Sequence, residues 1–199
     1  VVSAPSSRGI HLRNPDQELV KVIVSGPFGV GKTTIIRTLS EIPPLKTEEV
    51  MTATGAVVDH LHGVRDKTTT TVGLDYGRIS LGDDLALCLF GTPGQKRFHA
   101  LWQDLTRGAL GALILADTRR IADSYEVMGM IEEQGIKYAV ALNEFPDSPA
   151  YPEDDLRQAL DLSPDTPLVA CDARDRTTSL NALLALAEHL LNLPAMEQS

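Results

Sequence analysis

The sequence predicts an α/β fold: a six-stranded, mostly parallel sheet with one antiparallel strand and helices on both faces. Three observations carry this. Short runs of Val, Ile, Leu and Ala alternate along the chain with stretches whose apolar residues recur at helical spacing. Two of the runs are separated only by Gly82-Asp83-Asp84, the composition of a hairpin turn, which supplies the antiparallel strand. The first run ends in a glycine-rich turn that opens directly into a helical pattern.

Taken in order, residues 1–18 are rich in Ser, Pro and charge without periodicity, and read as a mobile tail. Leu19 to Val24 is a buried strand. A helix follows from about Gly31 to Glu41, with Ile35, Ile36 and Leu39 inward and Pro43-Pro44 as its stop. Leu45 to about Thr70 shows little regular pattern and reads as a long functional loop. Thr71 to Leu81 alternates through Val72, Leu74, Tyr76, Ile79 and Leu81, and Leu85 to Phe90 returns as a continuous apolar strand. A helix carrying Phe98, Leu101, Trp102 and Leu105 comes next, with Trp102 assigned to the core. Ala109 to Ala116 is a buried strand, after which Asp117-Thr118 caps a helix from about Arg119 to Gln134, ended by Gly135. Ile136 to Leu142 is the next strand and delivers Asn143. Pro152 and the acids Glu153, Asp154 and Asp155 mark a helix start, and that helix stops before Ser163-Pro164. Thr166 to Ala170 is a short last strand, and Thr177 to Leu191 is an amphipathic helix with Leu180, Leu183, Leu184, Ala187 and Leu191 on one face. One domain therefore spans residues 19–192, with a short tail over 193–199.

Composition narrows the function classes. With 199 residues the chain can bury a sizeable core, and 43% apolar with 23% charged residues is ordinary for a globular protein. A net charge of −9 argues against a general nucleic-acid binder and against docking to an anionic membrane. Cys88 and Cys171 both sit in apolar segments and read as buried thiols. No apolar run is long enough for a membrane span, no secretory signal opens the chain, and the C-terminal MEQS has no prenylation cysteine; a cytoplasmic protein is expected.

The chemistry is concentrated in residues 26–33, GPFGVGKT, which match G-x-x-x-x-G-K-[ST] without a mismatch. Glycines let such a backbone wrap a phosphate, so Phe28, Gly29, Val30, Gly31, Lys32, Thr33 and Thr34 are the expected nucleotide-binding residues. Lys32 reaches the outer phosphates, Thr33 is placed to ligate magnesium, and the helix start adds its positive dipole end. Asp59-His60-Leu61-His62 offers two candidate metal ligands, but two histidines without a further spaced ligand read as loop residues.

The order of the remaining pieces resembles Ras-like small GTPases over about residues 19–192, and TTVGLDYG followed by LFGTPGQKRF is most similar to the bacterial group of the gliding-motility GTPase MglA and the actinobacterial conservon-type GTPases. The resemblance implies a P-loop NTPase with a Ras-like G domain, GTP/GDP and Mg2+ as ligands, and a roadblock-fold regulator as partner. It matches Thr71, last of the run Thr68 to Thr71, to the switch-I threonine that ligates magnesium. Gly94 matches the switch-II glycine whose N–H meets the γ-phosphate, and Gln95 the glutamine that orients the attacking water. It implies catalytic roles for Gln95, Lys32 and Thr71, and metal ligation by Thr33 and Thr71. The final loop, Cys171, Asp172, Ala173 and Arg174, resembles the Ser-Ala-Lys whose backbone N–H meets the guanine oxygen.

Three departures temper the match. Gly91 stands where the magnesium-holding aspartate of the family ends its strand; Asp75 on the paired strand is the candidate substitute, and Arg65 the candidate helper arginine. In the base-reading Asn-Lys-x-Asp, Asn143 fits, but Glu144 replaces the lysine and Pro146 the aspartate, with Asp147 one residue late. Losing a bidentate carboxylate contact weakens guanine discrimination. The expected function is a slow GTP-hydrolysing switch in bacterial signalling. An ATP-using relative and a non-catalytic interaction module stand as alternatives.

Overall fold

The computed structural model describes residues 17–43, 45–50, 71–93 and 99–192. Its elements in chain order are β1 (Glu18–Ser25), α1 (Lys32–Leu39), β2 (Leu45–Val50), β3 (Thr71–Leu81), β4 (Leu85–Gly91), α2 (His99–Thr106), β5 (Gly111–Ala116), a 3-10 helix (Thr118–Asp123), α3 (Ser124–Glu133), β6 (Tyr138–Asn143), α4 (Glu153–Ala159), β7 (Leu168–Cys171) and α5 (Arg176–Asn192).

All the described strands form one sheet in the order β2-β3-β4-β1-β5-β6-β7. β1 pairs in parallel with β4 and β5, and β6 in parallel with β5 and β7. β3 alone runs the other way, antiparallel to both β4 and β2. Six of these strands are those the sequence predicts. The seventh, β2, corrects the reading of residues 45–50 as irregular: an edge strand has one neighbour, so LKTEEV needs no continuous apolar run to pair with Thr71–Tyr76.

The two-residue period of the strands divides the core between the faces of the sheet. Val22, Val24, Leu113, Leu115, Ala139 and Ala141 face α1 and α5, which contribute Ile35, Ile36, Leu39, Ala182, Leu183 and Leu186. Ile23, Ala112, Ile114, Tyr138 and Val140 face the opposite layer, built on Trp102, Val127, Met128, Ile131 and Leu160. Trp102 is core, as expected. β5 is buried at every residue because it lies between β1 and β6 with helices on both sides.

Two helix expectations shift. α1 stops at Leu39 because Ser40 turns to extended angles, before the prolines act. The single helix expected over 119–134 is a 3-10 turn followed by α3, since Arg120 adopts non-helical angles (φ −146°, ψ 48°) while Asp117 takes the Arg119 N–H at 3.0 Å. Gly135, at φ 67°, ends α3 as predicted.

Candidate nucleotide site

The phosphate loop joins β1 to α1 at the C-terminal end of the sheet, where parallel strands place ligand sites. Gly31 has φ 110°, and a β-carbon there would stand 2.6 Å from Asn143 Nδ2, so both conformation and space require glycine. Lys32 folds back over the loop, its Nζ donating to Gly26 O at 2.6 Å and Pro27 O at 2.8 Å. Burial pushes its pKa down to about 8, while the nearby Asp75 carboxylate acts in the opposite direction. Phe28 stands exposed at the loop tip, its carbonyl accepting from Arg120 Nη2 at 3.4 Å. The Val30 side chain is buried in the core, and its carbonyl faces Asn143. Gly29 takes φ 76°, and Thr34 is half-buried on the first turn of α1.

Beside the loop, the Thr33 hydroxyl donates to the Asp75 carboxylate. Tyr76 pairs with Phe90, so Asp75 lies opposite Gly91, one step further along the strands. A β-carbon at position 91 would stand 3.1 Å from Asp75 Cβ and 3.0 Å from Ile36 Cδ1. Asp75, the candidate substitute for the carboxylate that the resemblance expects at Gly91, thus lies where a side chain at 91 would crowd it. A hydroxyl and a carboxylate are the hard oxygen donors magnesium prefers, and magnesium takes few protein ligands because phosphates and water fill its remaining positions. The residues present fit that ion. No group of three His, Cys, Asp or Glu side chains is placed to hold a metal among the described residues.

At the other end, Asn143 is buried at the tip of β6 and joins two loops: its Nδ2 donates to Val30 O at 2.8 Å, and its Oδ1 accepts from Ala173 N at 2.9 Å. The loop after β7 is engaged internally. Asp172 N donates to Thr178 Oγ1 at 3.1 Å, Arg174 N to Asp172 Oδ1 at 2.9 Å, and Thr38 Oγ1 to Ala173 O at 2.7 Å. Hydrogen bonds from the Arg174 side chain hold the Asp172 carboxyl below its ordinary range. The Cys171 thiol is buried, which pushes it up to about 11, and its carbonyl accepts from Glu144 N at 2.8 Å. Asp147, the late carboxylate of the base motif, is paired with Arg119 Nη1 at 2.6 Å.

A family model described as "Conserved hypothetical ATP binding protein" matches residues 24–193, from the end of β1 past the end of α5. The chain belongs to this ATP binding protein family. An uncharacterized protein of Methanocaldococcus jannaschii is 30% identical to this family member over 127 residues, 63% of this chain and 70% of that protein. The human Ras-related protein Rab-40A-like is 33% identical over 132 residues, 65% of this chain but only 38% of its own length. Among solved structures, the G domain of FeoB from Methanococcus jannaschii superposes with a TM-score of 0.60 at 13% identity, covering 88% of this chain and all of that one (100%). The G domain of the T. maritima FeoB iron transporter gives a TM-score of 0.59 at 17% identity, covering 86% of this chain and 99% of that one. At these identities the likeness shows the fold alone: this ATP binding protein family member has the fold of a G domain.

The structure of this family member brings Gly26 to Thr34, Asp75, Asn143 and Ala173 to one end of the sheet. Thr71 opens β3 opposite Val50. Gly94, Gln95, Arg65, His60, His62 and the threonines Thr68 to Thr70 lie outside the described residues. Sequence reasoning missed Arg119, whose partners come from two different loops; its one signal was a position two residues after the strand-ending Asp117. No described helix is long and apolar enough to cross a membrane.

Proposed function

We propose that this protein is a magnesium-dependent nucleotide switch that binds GTP and hydrolyses it slowly, akin to the bacterial MglA and conservon-type GTPases. The observation that carries the reading is the Thr33–Asp75 contact beside Gly91, which gives the phosphate loop a hydroxyl and a carboxylate for a magnesium ion. A bound magnesium ion supplies charge neutralisation at the phosphate oxygens. Lys32 leaves the loop carbonyls to pair with the outer phosphates, and the amides of residues 28–34 hold the phosphate chain. Thr71 is the proposed second hydroxyl ligand, Gly94 the γ-phosphate donor and Gln95 the residue that orients the attacking water in line with the departing diphosphate. Loss of the γ-phosphate contacts releases the two loops that carry them, which is the switch. A roadblock-fold regulator in the cytoplasm of a bacterial cell is the proposed partner, on the strength of the family resemblance.

ATP is the second reading. The family is one of ATP binding proteins, and the only late carboxylate of the base motif is already paired with Arg119. The test is to denature freshly purified protein and identify the released nucleotide by ion-exchange chromatography. Bound nucleotide with guanine in the larger share is the expected result. Adenine nucleotide would put the second reading first, and an empty protein that takes up neither GTP nor ATP with magnesium would overturn both.

A further inference from the structure

We propose that Arg119 is a specificity-determining positioning residue: it holds Asp147 away from the nucleotide base, so that the site discriminates only weakly between guanine and adenine. The inference rests on the nucleotide-binding reading above. Arg119 Nε donates to Asp117 Oδ1 at 2.9 Å and its Nη2 to Oδ2 at 2.8 Å, a two-point fork on a carboxylate that is fully buried at the end of β5. These hydrogen bonds hold Asp117 ionised despite its burial. The guanidinium therefore has a fixed place. From there its Nη1 reaches across to Asp147 Oδ1 at 2.6 Å, and its Cζ lies 3.9 Å from the centre of the Phe145 ring.

The segment it grips is the connection from β6 to α4, which carries the base motif. An open cleft of about 370 Å³ adjoins that connection, lined by Leu142, Phe145, Tyr151, Leu156 and Leu168 among others. Phe145 N donates to Ser148 Oγ at 2.9 Å, Ser148 N to Phe145 O at 3.0 Å, and Thr118 Oγ1 to Pro149 O at 3.1 Å. These bonds curl the segment, and the Arg119 bridge sets the direction of Asp147. A carboxylate selects guanine by accepting two N–H bonds that adenine lacks, and one of the two oxygens of Asp147, Oδ1, is already engaged by an arginine that is itself anchored in the core.

The experiment is calorimetric titration of the full chain with GTP and with ATP in excess magnesium. The wild type is expected to bind both with dissociation constants within about tenfold of each other. Arg119→Gln frees Asp147 and is expected to move the ratio toward GTP by about tenfold, and Arg119→Gln combined with Asp147→Asn is expected to return it to the wild-type value. Asp147→Asn alone, at an exposed side chain, should leave the wild-type ratio where it is, and this variant decides the matter if Arg119→Gln does not fold. An equal loss of both affinities in folded Arg119→Gln would show a merely structural role and overturn the proposal. So would a wild-type preference for GTP that Asp147→Asn abolishes. A wild type that binds neither nucleotide would instead overturn the nucleotide reading on which the proposal stands.

Discussion

At the phosphate end, the site is a backbone turn followed by Lys32 and Thr33 on the first turn of α1; at the base end, it is a set of side chains on two loops. The first is fixed by sterics, since Gly31 takes φ 110° and leaves no room for a β-carbon beside Asn143. The second is fixed by pairings such as Arg119 with Asp117 and Asp147, or Asp172 with Arg174, each of which one substitution can remove. Phosphates are alike in every nucleotide and a backbone can bind them, whereas a base must be read by side chains. The two ends therefore differ in how far sequence can drift before binding is lost. At the phosphate end a side chain also departs from the Ras-like pattern, since the candidate carboxylate, Asp75, lies on β3 opposite Gly91 of β4.

If that contrast holds, changes at the phosphate end act on GTP and ATP alike. The largest effect is expected from Lys32→Ala, with a loss of about a hundredfold or more in affinity for both nucleotides, measured by titration calorimetry. A loss confined to one of them would break the contrast. Next is Asp75→Asn, which should weaken magnesium-dependent affinity by about tenfold for both, read from a magnesium titration of nucleotide binding, with little change in its absence. The smallest effect is that of pH. Lys32 in the free protein has its pKa lowered to about 8, and phosphates favour its charged form, so affinity should be full below that value and fall above it. The decline is at most about tenfold per pH unit, equal for both nucleotides and flattened in Lys32→Ala. For the free fold the sign reverses: between about 8 and the ordinary lysine value of 10.5 the unfolded chain binds the proton that the folded one has lost, so stability rises with pH.

Much of this architecture was legible because it rests on local rules. The apolar runs became β1 and β4 to β6, GPFGVGKT became the turn into α1, and Asn143 emerged at the tip of β6. β2 was not legible, because a polar strand with a single neighbour lacks the pattern that burial imposes. The placement of Asp75 was anticipated only as a candidate; what locates it is its position opposite Gly91, a property of strand register. Arg119 left only its place two residues after Asp117. Its role arises from bringing the ends of β5 and β6 together, which no sequence spacing records.

The burial of β5 has a consequence for occupancy. All six of its residues are shielded, with β1 and β6 hydrogen-bonded on either side, so its amide hydrogens exchange with solvent only when the domain as a whole opens. The loops of the candidate nucleotide site spring from the ends of those same two neighbours. A ligand held there slows exchange in β5 by the factor 1 + [L]/Kd, and deuterium uptake at a strand that touches no ligand becomes a gauge of how full the site is.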